Sequence, residues 1–288
     1  MHINMLKNRK TMLLSLLRAK QWYKNLVIFL PIIFAEAIFI EGHLQMVLFG
    51  FLSLCFVSSA SYIINDIVDA KEDRWHIEKC KRPIAAGKIG VGAALVIALM
   101  LFVGSIFIAS KLSYNFALCV LALFLLTQVY IFFLKKEMFA DVATISTNFV
   151  IRAVSGAVLL SVRVSPWLIL CTFFLSMFLV ATKRKGDLGL VKNKYTPEIT
   201  DRLMTFSTVA LVMSYSLYSF LSLYPLLIVT LPFAIYVVFS YSYLTDKNRV
   251  LARNPEKAFK EPKIVIGSLF WIALAFIVIY LKPLAWIF

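Results

Sequence analysis

Apolar stretches long enough to cross a lipid bilayer recur along the whole of this 288-residue sequence. Hydrophobic residues make up 61% of the chain, a share that a soluble domain of this length does not carry. A transmembrane helix needs about 20 consecutive, mostly apolar residues. The sequence therefore predicts an all-α, polytopic membrane protein. Nine transmembrane helices are expected, at residues 25–41, 44–67, 91–110, 113–134, 140–162, 165–183, 203–223, 225–245 and 264–283.

Positive charges alternate between the predicted loops. Lys and Arg are concentrated in the N-terminal segment and in the loops after the second, fourth, sixth and eighth predicted helices. The opposite side offers only Lys111, Arg163 and Lys282. By the positive-inside rule, we expect the N-terminus and the basic loops to face the cytoplasm at a bacterial inner (plasma) membrane.

The net charge of +15 has two explanations. One is membrane topology together with contact to anionic lipids. The other is a polyanionic substrate, because two of the basic loops also carry clustered acidic residues. Nucleic acid is not expected as a partner, because the basic residues are divided among short loops between helices.

No low-complexity linker divides the chain, so we expect one transmembrane domain over residues 1–288. The two loops richest in polar residues, about 66–90 and 183–203, each follow the second helix of a group of four. Predicted helices one to four and five to eight are therefore interpreted as structural counterparts, with the ninth helix added. Binding sites of transmembrane proteins often lie where two such halves meet.

An acidic run that reads Asn-Asp-Ile-Val-Asp-Ala-Lys-Glu-Asp-Arg follows directly on a long apolar stretch. Asp66, Asp69 and Asp73 are spaced i, i+3 and i+7, which places them on one helix face, and Asn65 flanks that face. Two like charges about 4 Å apart repel by about 4 kcal/mol at an effective dielectric constant of about 20. A divalent cation removes this repulsion, and oxygen ligands favour Mg²⁺, often together with a phosphate. The alternative is a solvated helix end, but the basic run Lys79–Arg82 nearby favours the metal site.

A basic cluster, Lys183-Arg184-Lys185-Gly186-Asp187, closes the sixth predicted helix. Its simplest interpretation is a basic stop at the cytoplasmic face. The acidic residue inside the cluster favours a functional role instead. Asp187 would provide either a second metal position or the partner that holds a lysine in place.

Arg152 lies inside an apolar helix, one turn after Asn148. A charge near the bilayer centre costs about 2.5–3.5 kcal/mol on insertion scales, so such a residue usually has a function. Because Arg binds phosphate through two parallel hydrogen bonds, we interpret this residue as a phosphate clamp. The alternative is an arginine whose head extends to the membrane interface. Asp141, near the start of the same helix, is expected to orient lysines.

The N-terminal segment Arg18-Ala19-Lys20-Gln21-Trp22-Tyr23-Lys24-Asn25 combines basic and aromatic residues. One interpretation is an interfacial anchor, with Trp22 and Tyr23 in the headgroup layer. The other is that Lys24 and Asn25 reach an anionic headgroup at the same interface.

Taken together, these residues resemble the UbiA superfamily of intramembrane transferases. The Asn65-Asp66-x-x-Asp69-x-x-x-Asp73 run is similar to the first aspartate-rich motif of that superfamily. Within the superfamily, the chain looks most like the decaprenyl-phosphate phosphoribosyltransferase branch. The elements that carry this likeness are Lys20-Gln21-Trp22-Tyr23-Lys24-Asn25, Arg82-Pro83-Ile84-Ala85-Ala86-Gly87, Arg152-Ala153-Val154-Ser155-Gly156 and Lys183-Arg184-x-x-Asp187.

The resemblance implies a nine-helix bundle of the UbiA type. It also implies an enzyme that transfers 5-phosphoribose from phosphoribosyl pyrophosphate to a polyprenyl phosphate and releases pyrophosphate. The implied cofactor is Mg²⁺, held by Asn65, Asp66, Asp69 and Asp73. The residues implied in catalysis are Asp66, Asp73, Lys183 and Asp187. Those implied in substrate binding are Gln21, Lys24, Asn25, Arg82, Arg152 and Arg184.

The sequence departs from the family pattern in the second polar loop. The branch usually has Glu where Asp187 stands. Members that use prenyl diphosphates usually carry a second pair of aspartates after the sixth helix, and this chain lacks that pair, since Asp201 is too far along to share a helical face with Asp187. Two alternatives stay open. One is a UbiA-type transferase that moves a prenyl group from a prenyl diphosphate to an aromatic acceptor, and the other is a transporter of polyprenyl phosphate or another anion.

Overall fold

A computed structural model of the chain describes residues 12–189 and 195–281. All regular elements in these ranges are helical. The α-helices are α1 (Leu30–Phe34), α2 (His43–Val68), α3 (Ala70–Asp73), α4 (Val91–Leu112), α5 (Tyr114–Phe132), α6 (Ala140–Leu159), α7 (Pro166–Gly186), α8 (Pro197–Leu221), α9 (Leu231–Lys247), α10 (Arg249–Arg253) and α11 (Pro262–Phe276). Stretches of 3₁₀ helix lie at Ala19–Phe29, Lys79–Lys81, Leu134–Lys136, Pro225–Thr230 and Pro255–Lys260, and a π-helical turn, Ile277–Leu281, follows α11.

Eight helices in the described ranges are long and apolar enough to cross a membrane. They are α2, α4, α5, α6, α7, α8, α9 with the turn before it, and α11 with the turn after it. The chain is therefore an all-helical integral membrane protein, as predicted. The expected count of nine is not confirmed, because residues 25–41 do not form one long helix. They contain the end of a 3₁₀ stretch and the short helix α1.

The N-terminal segment, residues 19–34, nevertheless runs from one end of the bundle to the other. Next to its start, Arg18 pairs with Asp66 near the C-terminal end of α2. At its far end, Phe34 packs edge-on against Tyr218 near the end of α8. A 3₁₀ helix rises about 2 Å per residue, against about 1.5 Å for an α-helix. The 3₁₀ conformation therefore lets a short segment cover the height of the bundle.

Helices α2 and α6 form the centre of the bundle. Of their most apolar windows, 61% and 56% are buried, against 17–33% for the other spans. Small hydroxyl side chains on the buried faces allow close packing between membrane helices. In α2 and α6 these include Ser53, Ser58, Ser59, Ser61, Thr144, Ser146 and Ser155.

Gly156 of α6 allows the N-terminal segment to approach at backbone distance. A Cβ atom at this position would lie 2.3 Å from the carbonyl oxygen of Ile28, which no non-bonded contact allows. Glycine is therefore required for this packing. The approach places Asn25, one 3₁₀ turn before Ile28, beside Arg152.

Two of the five apolar clusters among the described residues show how the helices divide into groups. The first surrounds the N-terminal segment, α2, α5 and the end of α6, and includes Ile28, Leu54, Phe116 and Leu159. The second joins α7, α8, α9 and α11, and includes Phe178, Met204, Tyr241 and Ile264. The interpretation of the chain as two structural counterparts stays a prediction.

The basic loops collect at one end of the bundle. Nζ of Lys185, at the end of α7, lies 2.8 Å from Oδ1 of Asp201 in α8 and 2.6 Å from Oδ1 of Asp246 in α9. Nε of Arg253 in α10 donates to the carbonyl oxygen of Gly186 at 2.8 Å. These contacts join α7, α8, α9 and α10 at the end where Arg18 meets Asp66.

Candidate active site

Asp66 and Asp73 bind one common arginine at this end of the bundle. Both side chains are buried, at 2% and 3% exposure. Nη1 of Arg82 donates to Oδ1 of Asp66 at 2.9 Å and to Oδ2 of Asp73 at 2.5 Å. Arg18 also pairs with Asp66, with Nε 3.3 Å from Oδ2 and Nη2 in contact with Oδ1. The structure thus brings two of the three predicted carboxylates together.

The third carboxylate, Asp69, binds a different cation. Nζ of Lys135, in the turn after α5, pairs with Asp69 and also donates to Oδ1 of Asn65 at 3.1 Å. Nδ2 of Asn65 donates to Oδ2 of Asp69 at 3.1 Å. Asn65, Asp69 and Lys135 therefore form a cluster of their own beside the Asp66–Asp73 pair.

The donor chemistry of Asp66 and Asp73 fits Mg²⁺, a hard cation that prefers carboxylate oxygens. Because both carboxylates bind the same Nη1 atom, both already reach one cation position. The set of three carboxylates expected from the sequence is not assembled. In the part of the chain that the structure describes, no three His, Cys, Asp or Glu side chains are grouped to hold a metal. Asp69 would first have to leave Lys135.

Arg152 is buried at the centre of the bundle, at 7% exposure. Its Nε donates to Oδ1 of Asn25 at 2.8 Å, and its Nη1 donates to the carbonyl oxygen of Asn148 at 3.0 Å. Both partners are neutral, and Arg152 has no ion pair with any residue that the structure describes. The side chain is buried within the bundle and does not extend to the interface, which was the alternative expected from the sequence.

Asn25 links Arg152 to α2. The side chain is 1% exposed, and its Oδ1 also accepts a hydrogen bond from Oγ of Ser58 at 3.3 Å. Its Nδ2 lies 3.4 Å from Sγ of Cys55. The sequence allowed Asn25 to reach a headgroup at the interface. In the structure its amide is buried and orients Arg152.

Trp22 attaches the N-terminal segment to α2. Its Nε1 donates to Oγ of Ser59 at 3.0 Å, and Ser59 in turn donates to the carbonyl oxygen of Leu17 at 2.8 Å. Tyr23 packs edge-on against Phe259, in the 3₁₀ turn after α10. Both aromatic side chains are thus held by other parts of the protein. Their expected place in the headgroup layer stays a prediction.

Gln21 and Lys24 are half-buried in the same segment. Lys24 is close enough to interact electrostatically with the Tyr62 hydroxyl and with Lys183. Gln21 makes no side-chain hydrogen bond within the described residues. Lys24 therefore lies in a cationic region between α2 and the end of α7.

Asp141, at the start of α6, is the centre of a second acidic cluster. Nη2 of Arg184 lies 2.8 Å from its Oδ2. Its Oδ1 accepts hydrogen bonds from the Tyr195 hydroxyl at 2.5 Å and from the Val142 amide at 2.7 Å. Burial and the hydrogen bond to Asp141 raise the pKa of Tyr195 above its usual range. Asp141 thus holds an arginine and a tyrosine, not the lysines expected from the sequence.

Lys183 and Asp187 lie one turn apart at the end of α7. The backbone amide of Asp187 donates to the carbonyl oxygen of Lys183 at 3.0 Å. The Asp187 carboxylate is close enough to interact electrostatically with Lys183 and Arg184. This placement favours Asp187 as the partner of a basic side chain over Asp187 as a second metal position.

Three basic residues that the structure places at the acidic motif are not among the site residues predicted from the sequence. They are Arg18, Lys79 and Lys135. Nζ of Lys79 lies 4.0 Å from Oδ1 of Asp73, and burial together with Arg82 lowers the pKa of Lys79. A usable signal was present: a buried acidic run needs counter-ions, and the basic loops on the same side are their only nearby source.

The fold and this end of the bundle define a membrane-embedded transferase. The model of the UbiA prenyltransferase family matches residues 26–260, and the chain belongs to this family. The match includes Asp66, Asp73 and Arg152, and begins one residue after Asn25.

Curated relatives carry a more specific name. The decaprenyl-phosphate phosphoribosyltransferase of Corynebacterium glutamicum is 35% identical over 228 residues, which are 74% of this chain and 69% of that protein. The protein of the same name from Mycobacterium tuberculosis is 30% identical over 277 residues, covering 89% and 90% of the two chains. Among solved structures, a UbiA homolog from Archaeoglobus fulgidus bound to GPP and Mg²⁺ has a TM-score of 0.73 at 21% identity, over 93% of this chain and 99% of that chain. This last likeness concerns the fold.

Proposed function

We propose that this transferase moves the 5-phosphoribosyl group of phosphoribosyl pyrophosphate onto a polyprenyl phosphate, with release of pyrophosphate, and that it requires Mg²⁺. The names of the relatives support the donor group and the acceptor. The observation that carries the proposal is that the protein has two separate sites whose basic side chains can bind an anionic substrate. A carboxylate pair surrounded by cations lies at the helix ends, and Arg152, which has no acidic partner among the described residues, lies deeper in the bundle.

The donor would bind at Asp66 and Asp73. Mg²⁺ held by these carboxylates would supply positive charge for the pyrophosphate leaving group. A structural relative is bound to GPP and Mg²⁺. Arg82 and Arg18 already lie at the carboxylates, and guanidinium groups bind phosphate oxygens bidentately. They would stabilise the charge that develops on the pyrophosphate as the bond from its oxygen to ribose C1 breaks.

The acceptor phosphate would bind at Arg152 and Lys24. An oxygen of the lipid phosphate forms the new bond to ribose C1, and it is already anionic, so the reaction needs no general base. The contribution of these residues is to hold the phosphate against C1 in the right orientation. Asn25 fixes the Arg152 guanidinium by accepting from its Nε, and the carbonyl oxygen of Asn148 accepts from its Nη1.

The remaining predicted residues have supporting roles in this proposal. Lys183 and Arg184 would bind the 5-phosphate of the donor, and Asp187 would keep Lys183 in place. Asn65 and Asp69 would complete the metal site if Lys135 moves to a phosphate oxygen. Gln21 would contact substrate at the start of the N-terminal segment.

We infer that this end of the bundle faces the cytoplasm at a bacterial inner membrane. The support is the concentration of Lys and Arg in the loops at this end. Cys80 lies half-buried in one of these loops, whereas Cys119 and Cys171 lie within spans. A membrane-impermeant maleimide should label Cys80 in inverted vesicles and not in right-side-out vesicles, and the opposite pattern would contradict the orientation.

The function is tested with the purified chain in detergent or nanodiscs, phosphoribosyl pyrophosphate labelled in the ribose, and a polyprenyl phosphate. We expect Mg²⁺-dependent release of pyrophosphate in equal amount to a labelled lipid, and loss of both on addition of EDTA. A parallel reaction with a prenyl diphosphate and an aromatic acceptor tests the alternative transfer. Prenylated product there, with no phosphoribosyl lipid in the first reaction, would overturn the proposal.

A further inference from the structure

The acidic motif is over-neutralised by the protein itself. Three carboxylates face four cationic side chains contributed by three separate parts of the chain. The carboxylates are Asp66, Asp69 and Asp73, and the cations are Arg18, Lys79, Arg82 and Lys135. The cluster therefore carries a net positive charge, which does not attract a bare divalent cation.

Arg82 occupies the position that a bridging cation would take. Its Nη1 atom lies within hydrogen-bond distance of Asp66 and of Asp73, so a metal ion can bridge the two carboxylates only if this guanidinium moves. Arg18 contacts both carboxylate oxygens of Asp66. Both arginines would leave a buried carboxylate only for an equivalent anionic partner, because an unpaired charge at a buried site is strongly unfavourable.

Arg18 is held in place by an unusual backbone conformation. Its φ is 48°, in the left-handed region that residues other than glycine seldom adopt. Its guanidinium carbon lies 5.0 Å from the centre of the Tyr62 ring, which is one helical turn before Asp66. Backbone strain of this kind is retained where surrounding contacts fix it, often at functional sites.

We propose that Arg18 and Arg82 act as exchangeable counter-ions that make metal binding depend on the diphosphate. In the free protein the two arginines neutralise Asp66 and Asp73 and keep affinity for a bare divalent cation low. A diphosphate brings the anionic oxygens to which the arginines transfer, and the metal then bridges the carboxylates and the diphosphate. This inference rests on the proposed function only in taking the donor to be a diphosphate.

The coupling is measured with Mn²⁺ as a paramagnetic substitute for Mg²⁺ and with inorganic pyrophosphate, on the full chain in nanodiscs. Protein-bound Mn²⁺ is followed by electron paramagnetic resonance at known free Mn²⁺ concentration. We expect the wild-type protein to bind Mn²⁺ at least about 10-fold more tightly when pyrophosphate is saturating. By thermodynamic linkage, Mn²⁺ should tighten pyrophosphate binding by the same factor.

Removal of an exchangeable counter-ion should change Mn²⁺ binding differently in the absence and in the presence of pyrophosphate. Arg82→Gln should strengthen binding of Mn²⁺ alone and reduce the enhancement by pyrophosphate. Arg18→Gln should act in the same direction and serves as a second variant if Arg82→Gln is not recovered as folded protein. The matched control is Arg74→Gln, whose side chain is exposed next to Asp73 and which should leave both affinities unchanged.

Two results would overturn the inference: equal Mn²⁺ affinity of the wild-type protein with and without pyrophosphate, or weaker binding of Mn²⁺ alone in both arginine variants. The proposed function fails separately. Coupled binding of Mn²⁺ and pyrophosphate without formation of a phosphoribosyl lipid would support the inference and contradict the proposed reaction. Formation of the phosphoribosyl lipid without coupled binding would support the proposed reaction and contradict the inference.

Discussion

Two acidic clusters lie at the same end of the bundle and differ in what satisfies their carboxylates. Within the part of the chain that the structure describes, the Asp66 and Asp73 carboxylates bind only arginine and lysine side chains, and they share Arg82. Asp141 binds one arginine, and its other oxygen accepts from a tyrosine hydroxyl and a backbone amide. Both clusters are buried and lie at helix ends, so burial and position alone would not separate them.

The difference concerns which donors can be exchanged. Arginine and lysine leave a carboxylate readily when a metal ion replaces them and a phosphate receives them. A backbone amide cannot leave, and the Tyr195 hydroxyl has no charge to offer a phosphate. We therefore interpret the Asp66–Asp73 pair as the reactive site. Asp141 and Tyr195 are interpreted as a structural link between α6 and the segment before α8, and Asp141 also holds Arg184 in position for the donor.

The largest expected difference is between Asp66→Asn and Asp141→Asn. Asp66→Asn should lower turnover per folded molecule at least about 100-fold, because it removes a metal ligand. Folded protein should still be recovered, because Arg82 keeps its ion pair with Asp73. Asp141→Asn should instead lower stability by about 2 kcal/mol or more, because Arg184 loses a buried partner. Turnover of the phosphoribosyl reaction and thermal unfolding are measured on both variants.

The assignment of the two clusters would be wrong if the effects were exchanged. Full turnover in Asp66→Asn would also remove the metal role from that residue. Asp73→Asn is the matched second variant, and it should reproduce the loss of turnover seen for Asp66→Asn.

Arg152→Lys extends the comparison to a third site, where all partners of a buried cation among the described residues are neutral. A lysine keeps the charge but cannot donate to Asn25 and to a phosphate in a fixed fork. Loss of one charged hydrogen bond worth about 1.5–3 kcal/mol predicts a decrease in turnover of about 10- to 100-fold. The decrease should be largest at low concentrations of polyprenyl phosphate, because the variant should have a higher KM for this substrate. An effect confined to phosphoribosyl pyrophosphate would move Arg152 to the donor site.

Tyr195→Phe has the smallest expected effect and tests the structural cluster alone. Loss of the hydrogen bond to Asp141 should lower stability by about 1 kcal/mol, with turnover per folded molecule unchanged. Because the folded-state pKa of Tyr195 is raised, its contribution is complete below the unfolded value of about 10 and is lost as pH rises through the folded value. The difference in thermal stability between wild type and variant should therefore narrow above about pH 10. A reduced turnover at neutral pH would contradict a purely structural role.

Much of the fold could be predicted because hydropathy is a local property. The apolar runs correctly predicted eight spans. The spacing of the acidic residues predicted that Asp66 and Asp73 lie close together, and in the structure both bind Arg82. The segment at residues 25–41 was the exception. Its apolar residues predicted an ordinary transmembrane helix, but docking of Trp22 on Ser59 and of Ile28 on Gly156 accompanies a 3₁₀ conformation instead.

The sequence by itself determined that the chain spans a membrane, that its basic loops gather on one side, and that carboxylates line a helix end there. It could not determine which cation binds which carboxylate, or that Asn25 orients Arg152 from 127 residues away. Periodicity and hydropathy fix where a side chain points relative to its own helix. Counter-ion pairing depends on the distance between loops far apart in the chain, and only the packing of α2, α6 and α7 sets that distance.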